Sequence, residues 1–161
     1  MRLAAQLAAG FAAIAAAALG WGYWHAATHA DVQLQVIGMP HDVTLVLRDA
    51  SGVPLATARS VEPAGYLLPV HPDAATGNCQ HITRQPEYGE CYARYSAWLA
   101  GWAPKVAAAD VAVGTCKLRG VPVVTYRSSG DWWLWWVPLP HVGGVPRRYY
   151  GFTVSIDSRR C

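Results

Sequence analysis

After Met1 and Arg2 the chain runs from Leu3 to Trp24 with Gln6 as its only strongly polar side chain. At a rise of about 1.5 Å per residue such a run can cross a hydrocarbon core of about 30 Å, so it is an export signal or a membrane anchor. Arg2 precedes it, and Trp21, Tyr23 and Trp24 close it. That arrangement fits an N-terminus inside and an aromatic belt at the outer interface. Thr28-His29-Ala30 ahead of Asp31 offers the pattern that signal peptidase reads, and an Ala-rich segment is only weakly hydrophobic. These two details favour cleavage after Ala30. The belt favours retention, with inner-membrane association through residues 3–24. Residues 1–30 are therefore read as signal peptide or anchor, and 31–161 as one extracytoplasmic domain, periplasmic or secreted.

Gly10-Phe11 before an apolar helix resembles the cleavage site of type IV prepilins. That family has Glu at the fifth mature position, where this chain has Ala15, and strand-like sequence begins here at Val32. A long pilin helix has no room.

Of the whole chain, 53% is hydrophobic and 14% charged, with eight Trp and a net charge of +3. Such a composition supports a packed core and excludes disorder for most of the length. The charge is too small and too dispersed to suggest nucleic acid or a polybasic membrane patch.

Cys79, Cys91, Cys116 and Cys161 all follow the apolar run. In an oxidising compartment they are expected as two disulfides. Cys79 with Cys91 and Cys116 with Cys161 is the preferred pairing, since the first closes a short Gly/Pro-rich loop and the second ties down a chain end. His71, Cys79, His81 and Cys91 could be drawn as a metal set, but they lack the paired spacings of zinc sites.

From Asp31 to about Ala58 the apolar period is two. Val32, Leu34 and Val36, then Val43, Leu45 and Leu47, alternate with polar residues and read as half-buried strands. Asp49-Ala50-Ser51-Gly52 between them and Leu55 is turn chemistry. The strand, turn and strand look like the opening of many immunoglobulin-like domains. Ser60 to Glu90 reads as a long connection with a short strand at Tyr66 to Val70. Tyr92, Tyr95, Leu99 and Trp102 then recur at helical spacing beside Trp98, predicting a helix over about 91–102 docked on the core. Further strands are predicted at Val111 to Leu118, Val121 to Tyr126, Trp132 to Val137 and Tyr149 to Ile156, with Gly120 breaking the first from the second.

The densest feature is Asp131-Trp132-Trp133-Leu134-Trp135-Trp136. On a strand, neighbouring side chains face opposite ways. One face is expected in the core, and the other, with Trp133 and Trp135, against a partner, because indole joins large apolar area to an N–H donor. His141, Arg147 and Tyr149 are expected to border that surface. Catalytic patterns are weak. Ser128, Ser129 and Asp131 with His141 or His41 make a triad only on paper, without a G-x-S-x-G elbow, and Glu62, Glu87 and Glu90 have no motif around them. No cofactor or metal is expected.

The expectation is thus an α+β, mainly β domain: a disulfide-stabilised, sandwich-like or partly closed antiparallel sheet with one helix, preceded by the apolar export or anchor helix. The expected role is non-catalytic, an accessory subunit of a bacterial envelope assembly of the secretion, conjugation or pilus-like kind with a protein partner there. The alternatives are a periplasmic inhibitor or immunity-type protein of a hydrolase and an aromatic-strip carbohydrate-binding module.

Overall fold

The computed structural model describes residues 2–38, 42–61, 66–72, 79, 84–128 and 148–157. In chain order these form α1 (Arg2–Thr28), β1 (Ala30–Ile37), β2 (Val43–Arg48), β3 (Pro54–Val61), β4 (Tyr66–Val70), α2 (Gln85–Trp102), a 3-10 turn (Ala103–Lys105), β5 (Ala108–Val113), β6 (Cys116–Ser128) and β7 (Arg148–Ser155). The strands make a closed barrel in the order β1-β4-β3-β2-β5-β6-β7. Neighbouring strands are antiparallel except β7 and β1, which run parallel from Ala30 opposite Arg148 to Ile37 opposite Ser155 and close the ring. The sandwich-like or partly closed sheet is corrected accordingly to a closed ring, while the mainly β character holds and α2 overlaps the helix expected after the apolar segment. Alternation in sequence shows which face of each strand is wet, and it is silent on whether first and last strands meet.

Alternation does hold along the barrel. Leu34, Leu45, Leu47, Ala58, Val111, Phe152 and Val154 point inward and are buried. Fully burying a side chain such as Leu or Phe stabilises by about 1.5–3 kcal/mol. The hairpin of β2 and β3 turns as its residues predict: the Asp49 carboxylate accepts hydrogen bonds from the Ser51 and Val53 N–H groups at 2.9 Å, and Gly52 takes a φ of 85°.

Two predicted boundaries shift. The strand expected at Val111 to Leu118 is split by the tight turn Gly114-Thr115, with Val113 paired to Cys116, a two-residue hairpin connection that Gly114 permits at φ 55°. Gly120, expected as a break, lies inside β6 at φ 62°, where the β5–β6 register shifts between Ala109 and Val111. It makes a bulge instead of an end. The bulge leaves the Gly120 N–H off the ladder, and Asp110 accepts it at 3.0 Å. The same carboxylate receives Arg48 Nε at 2.8 Å, so one side chain ties β2, β5 and β6 together.

These bonds, Arg48 first and the Gly120 N–H next, hold the Asp110 carboxyl below its ordinary value. A carboxylate depressed in the folded chain contributes stability that is complete above the unfolded pKa, near 4, and is lost as pH falls through the folded value. Wild-type Tm is therefore expected to fall more steeply below about pH 4 than that of Asp110→Asn. Parallel profiles between pH 7 and pH 2 would show that the carboxylate is spent elsewhere.

α2 begins at Gln85, six residues ahead of the predicted helix. Pro86 falls in its first turn, where a missing N–H costs nothing, and Glu87 there faces the positive end of the helix. The stripe is as expected: Leu99 and Trp102 are buried, and Tyr92, Tyr95 and Trp98 are half-buried. Trp102 sits among core rings, edge-on to Trp98 at 5.5 Å and stacked toward Phe152 at 6.4 Å. The disulfide Cys79–Cys91 forms, with a Cα separation of 5.7 Å, and it overturns the metal reading of those two cysteines. Cys116 is also disulfide-bonded; its expected partner, Cys161, lies outside the described residues.

α1 does not hang free of the barrel. His29 alone separates it from β1, it contacts α2, and Ala26 and Ala30 are buried. The mouth of the barrel nearest α1, where β1 and β7 begin and β4 and β6 end, is the mouth that α2 covers.

Candidate functional site

The parallel β1–β7 seam is complete, but its counterpart on the other side of β1 is not. β1 pairs with β4 only at Leu34 opposite Leu67 and Gln35 opposite Tyr66. Toward α2 the two strands part. Pro69 suits the parting, because a proline has no N–H to offer a neighbouring strand. α2 lies over the gap and satisfies what the ladder leaves open. The Tyr92 hydroxyl donates to the Asp31 carboxylate on β1, and the Tyr95 hydroxyl donates to the Pro69 carbonyl on β4 at 2.8 Å. From the next residue, the buried Ser96 hydroxyl donates to the Ala30 carbonyl at 2.8 Å.

A cavity of about 320 Å³ remains in the split. Its walls are the rings of Tyr88, Tyr92, Tyr95 and Tyr149, the apolar side chains of Val32, Leu68 and Leu99, and Cys79 of the disulfide. Asp31 is the one acidic group of the lining among the described residues. Burial, and to a lesser degree the nearby Asp31 charge, pushes the Tyr95 phenol up to about 12. It therefore stays protonated and remains a donor across the physiological range. The cavity can take an apolar or aromatic group and offer it phenol edges; among the described residues its lining holds no cation.

Tyr149, expected at a binding surface, does line this cavity, and its hydroxyl donates to the Gln33 side-chain carbonyl. The other four residues expected there, Trp133, Trp135, His141 and Arg147, lie outside the described residues, as does the predicted Trp132 to Val137 strand. Its described flanks, Ser128 and Arg148, stand at the mouth beside α1, where the Arg148 N–H donates to the His29 carbonyl at 3.1 Å. The Ser128, Ser129, Asp131, His41 and His141 grouping likewise falls on side chains outside the described residues. Glu87 and Glu90 are exposed on α2, and Glu62 lies outside the described residues. Among the described residues no group of three His, Cys, Asp or Glu side chains is placed to hold a metal ion.

A second hollow, of about 470 Å³, lies on the far side of β4 and is bordered by Arg59, His71 and Trp98. The His71 and Trp98 rings meet edge to face at 4.7 Å.

Sequence reasoning treated Tyr92 and Tyr95 as core and Asp31 as a cleavage marker. The signal that could have found the cavity is the choice of tyrosine on a buried stripe where leucine or phenylalanine would pack as well. A buried phenol calls for a partner. No protein-family model, no curated protein and no solved structure matches the chain.

Proposed function

We propose that this chain is a non-catalytic interaction protein of the cell envelope, anchored in the inner membrane by α1 with the barrel outside, where it serves as an accessory subunit of a secretion, conjugation or pilus-like assembly. The observation that carries the reading is the junction of helix and barrel. Ala30, the residue before the cleavage point, is fully buried as the first residue of β1. Its carbonyl receives the Ser96 hydroxyl, and the His29 carbonyl receives Arg148. Cleavage after Ala30 would remove both acceptors and the contact of α1 with α2. Retention keeps them.

Helix length agrees. The 27 residues of α1 span about 40 Å, while the hydrocarbon core needs about 20 residues. The surplus places the exposed rings of Trp21, Tyr23 and Trp24 at the head-group layer, where aromatic residues favour both phases. The barrel follows within two residues, so its α2-covered mouth lies close to the membrane. The disulfides support an oxidising compartment.

Protease added to spheroplasts with an intact inner membrane is expected to degrade the chain beyond α1 and leave a short membrane-protected fragment. Complete protection of the barrel would overturn the topology. Cross-linking in intact cells followed by purification separates the roles: recovery within a large membrane complex is the expected result, and recovery with one soluble hydrolase would instead favour an inhibitor.

A further inference from the structure

We propose that a neutral sugar ring binds on the outer wall of the barrel over Gly151, where β1, β7 and β6 run side by side. The register sets the place. Gln33, Gly151 and Tyr126 share one row across the three strands, and Gln35, Thr153 and Val124 share the next. Gln33, Gln35, Gly151 and Thr153 face outward, because their chain neighbours Leu34, Phe152 and Val154 are buried inside, and the Tyr126 and Val124 side chains are themselves exposed. The absent side chain at Gly151 leaves a hollow of about 300 Å³ bordered by Gln33, Gln35, Tyr126, Tyr149 and Thr153, at the lower end of small-ligand sites.

The chemistry of the lining selects the ligand. Among the described residues it offers two primary amides, one aliphatic hydroxyl and two phenols, with no charged side chain. A phosphate, carboxylate or ammonium would give up its water for no countercharge. A purely apolar group would strip the amides of water and return no hydrogen bond. A pyranose meets both demands: its C–H face suits an aromatic ring, and its hydroxyls donate to and accept from Gln and Thr. The Tyr126 ring is ready for this role, being 64% exposed while its root packs over Gly151. Peptide capture by strand addition has no place on this wall, because a closed barrel offers no edge. The proposal stands on these residues and is independent of the membrane topology.

The test is a titration of the full chain in a detergent without sugar head groups, following the Gly151 amide and the Gln33 and Gln35 side-chain N–H₂ signals by ¹H–¹⁵N NMR. N,N′-diacetylchitobiose and cellobiose are the probes. Saturable shifts with either support the site. A response to the acetylated probe alone points to a peptidoglycan-type backbone, and a response to both points to neutral glycans generally. Tyr126→Ala is expected to weaken binding about ten-fold or more by removing the platform. Gly151→Ala keeps the proposal falsifiable if that variant misfolds. The added Cβ would meet Tyr126 only at ordinary contact distances of 3.5 Å and longer, so the fold is kept while the floor of the hollow is filled, and binding is again expected to fall about ten-fold. Absence of saturable shifts with both probes, or binding unchanged in a folded Gly151→Ala, overturns the proposal.

Discussion

Trp102→Ala is expected to lower the stability of the barrel by about 3–5 kcal/mol, the range for deleting a large aromatic side chain from a core. The ring joins α2 to the strands, packed between Trp98 and Phe152 and only 5% exposed. Without it a cavity opens where the helix meets the interior, and backbone held by seven strand seams cannot collapse to fill it. Trp102→Phe is expected to cost less than half as much. Its Nε1–H is buried with no acceptor among the described residues, so exchanging indole for phenyl gives up some volume and also removes an unsatisfied donor. Denaturant unfolding of the two variants checks this. Equal losses would mean that the indole N–H has an acceptor and contributes through it.

The double variant Cys79→Ala/Cys91→Ala is expected to lose about 3 kcal/mol, as removal of a link closing a loop of this length does in the chain-entropy account. The two cysteines are twelve residues apart and both are buried. The local consequence is more specific than the global one. Cys91 lies one residue before Tyr92, so the link holds the first turns of α2 over the split between β1 and β4. Hydrogen exchange is expected to accelerate in residues 85–92 and to remain slow around Leu99 and Trp102, which the core retains. Uniform acceleration along the whole helix would show that the disulfide supports the fold as one unit and does not fix the cavity in particular.

Several features were legible in the sequence because their causes are local. The alternation of Val43, Leu45 and Leu47, the Asp49 turn, the stripe from Tyr92 to Trp102 and the short Cys79–Cys91 loop each depend on residues within about one element of each other. Closure was not legible. It rests on β1 meeting β7 across more than a hundred residues of chain, and period-two patterning is the same for an open sheet and a ring. Gly120 was misread as a break because glycine serves equally as a turn and as a bulge; only the partner strand, with Asp110 opposite, distinguishes them. Pro86 and Gly89 concealed the start of α2 for a related reason. Proline is at home in a first helical turn, and a glycine penalty of about 1 kcal/mol is offset by the neighbouring disulfide and by Tyr92. Of the expected binding residues, Tyr149 alone lies among those described. The cavity itself arises from incomplete pairing of β1 with β4, a tertiary fact that composition does not encode.

The anchoring of the barrel by α1 is tested most directly by the intact mass of the protein recovered from the native envelope. The expected result is a chain that retains α1 and Ala30 and partitions with the membrane. A mature chain beginning at Asp31 in the soluble fraction would contradict it.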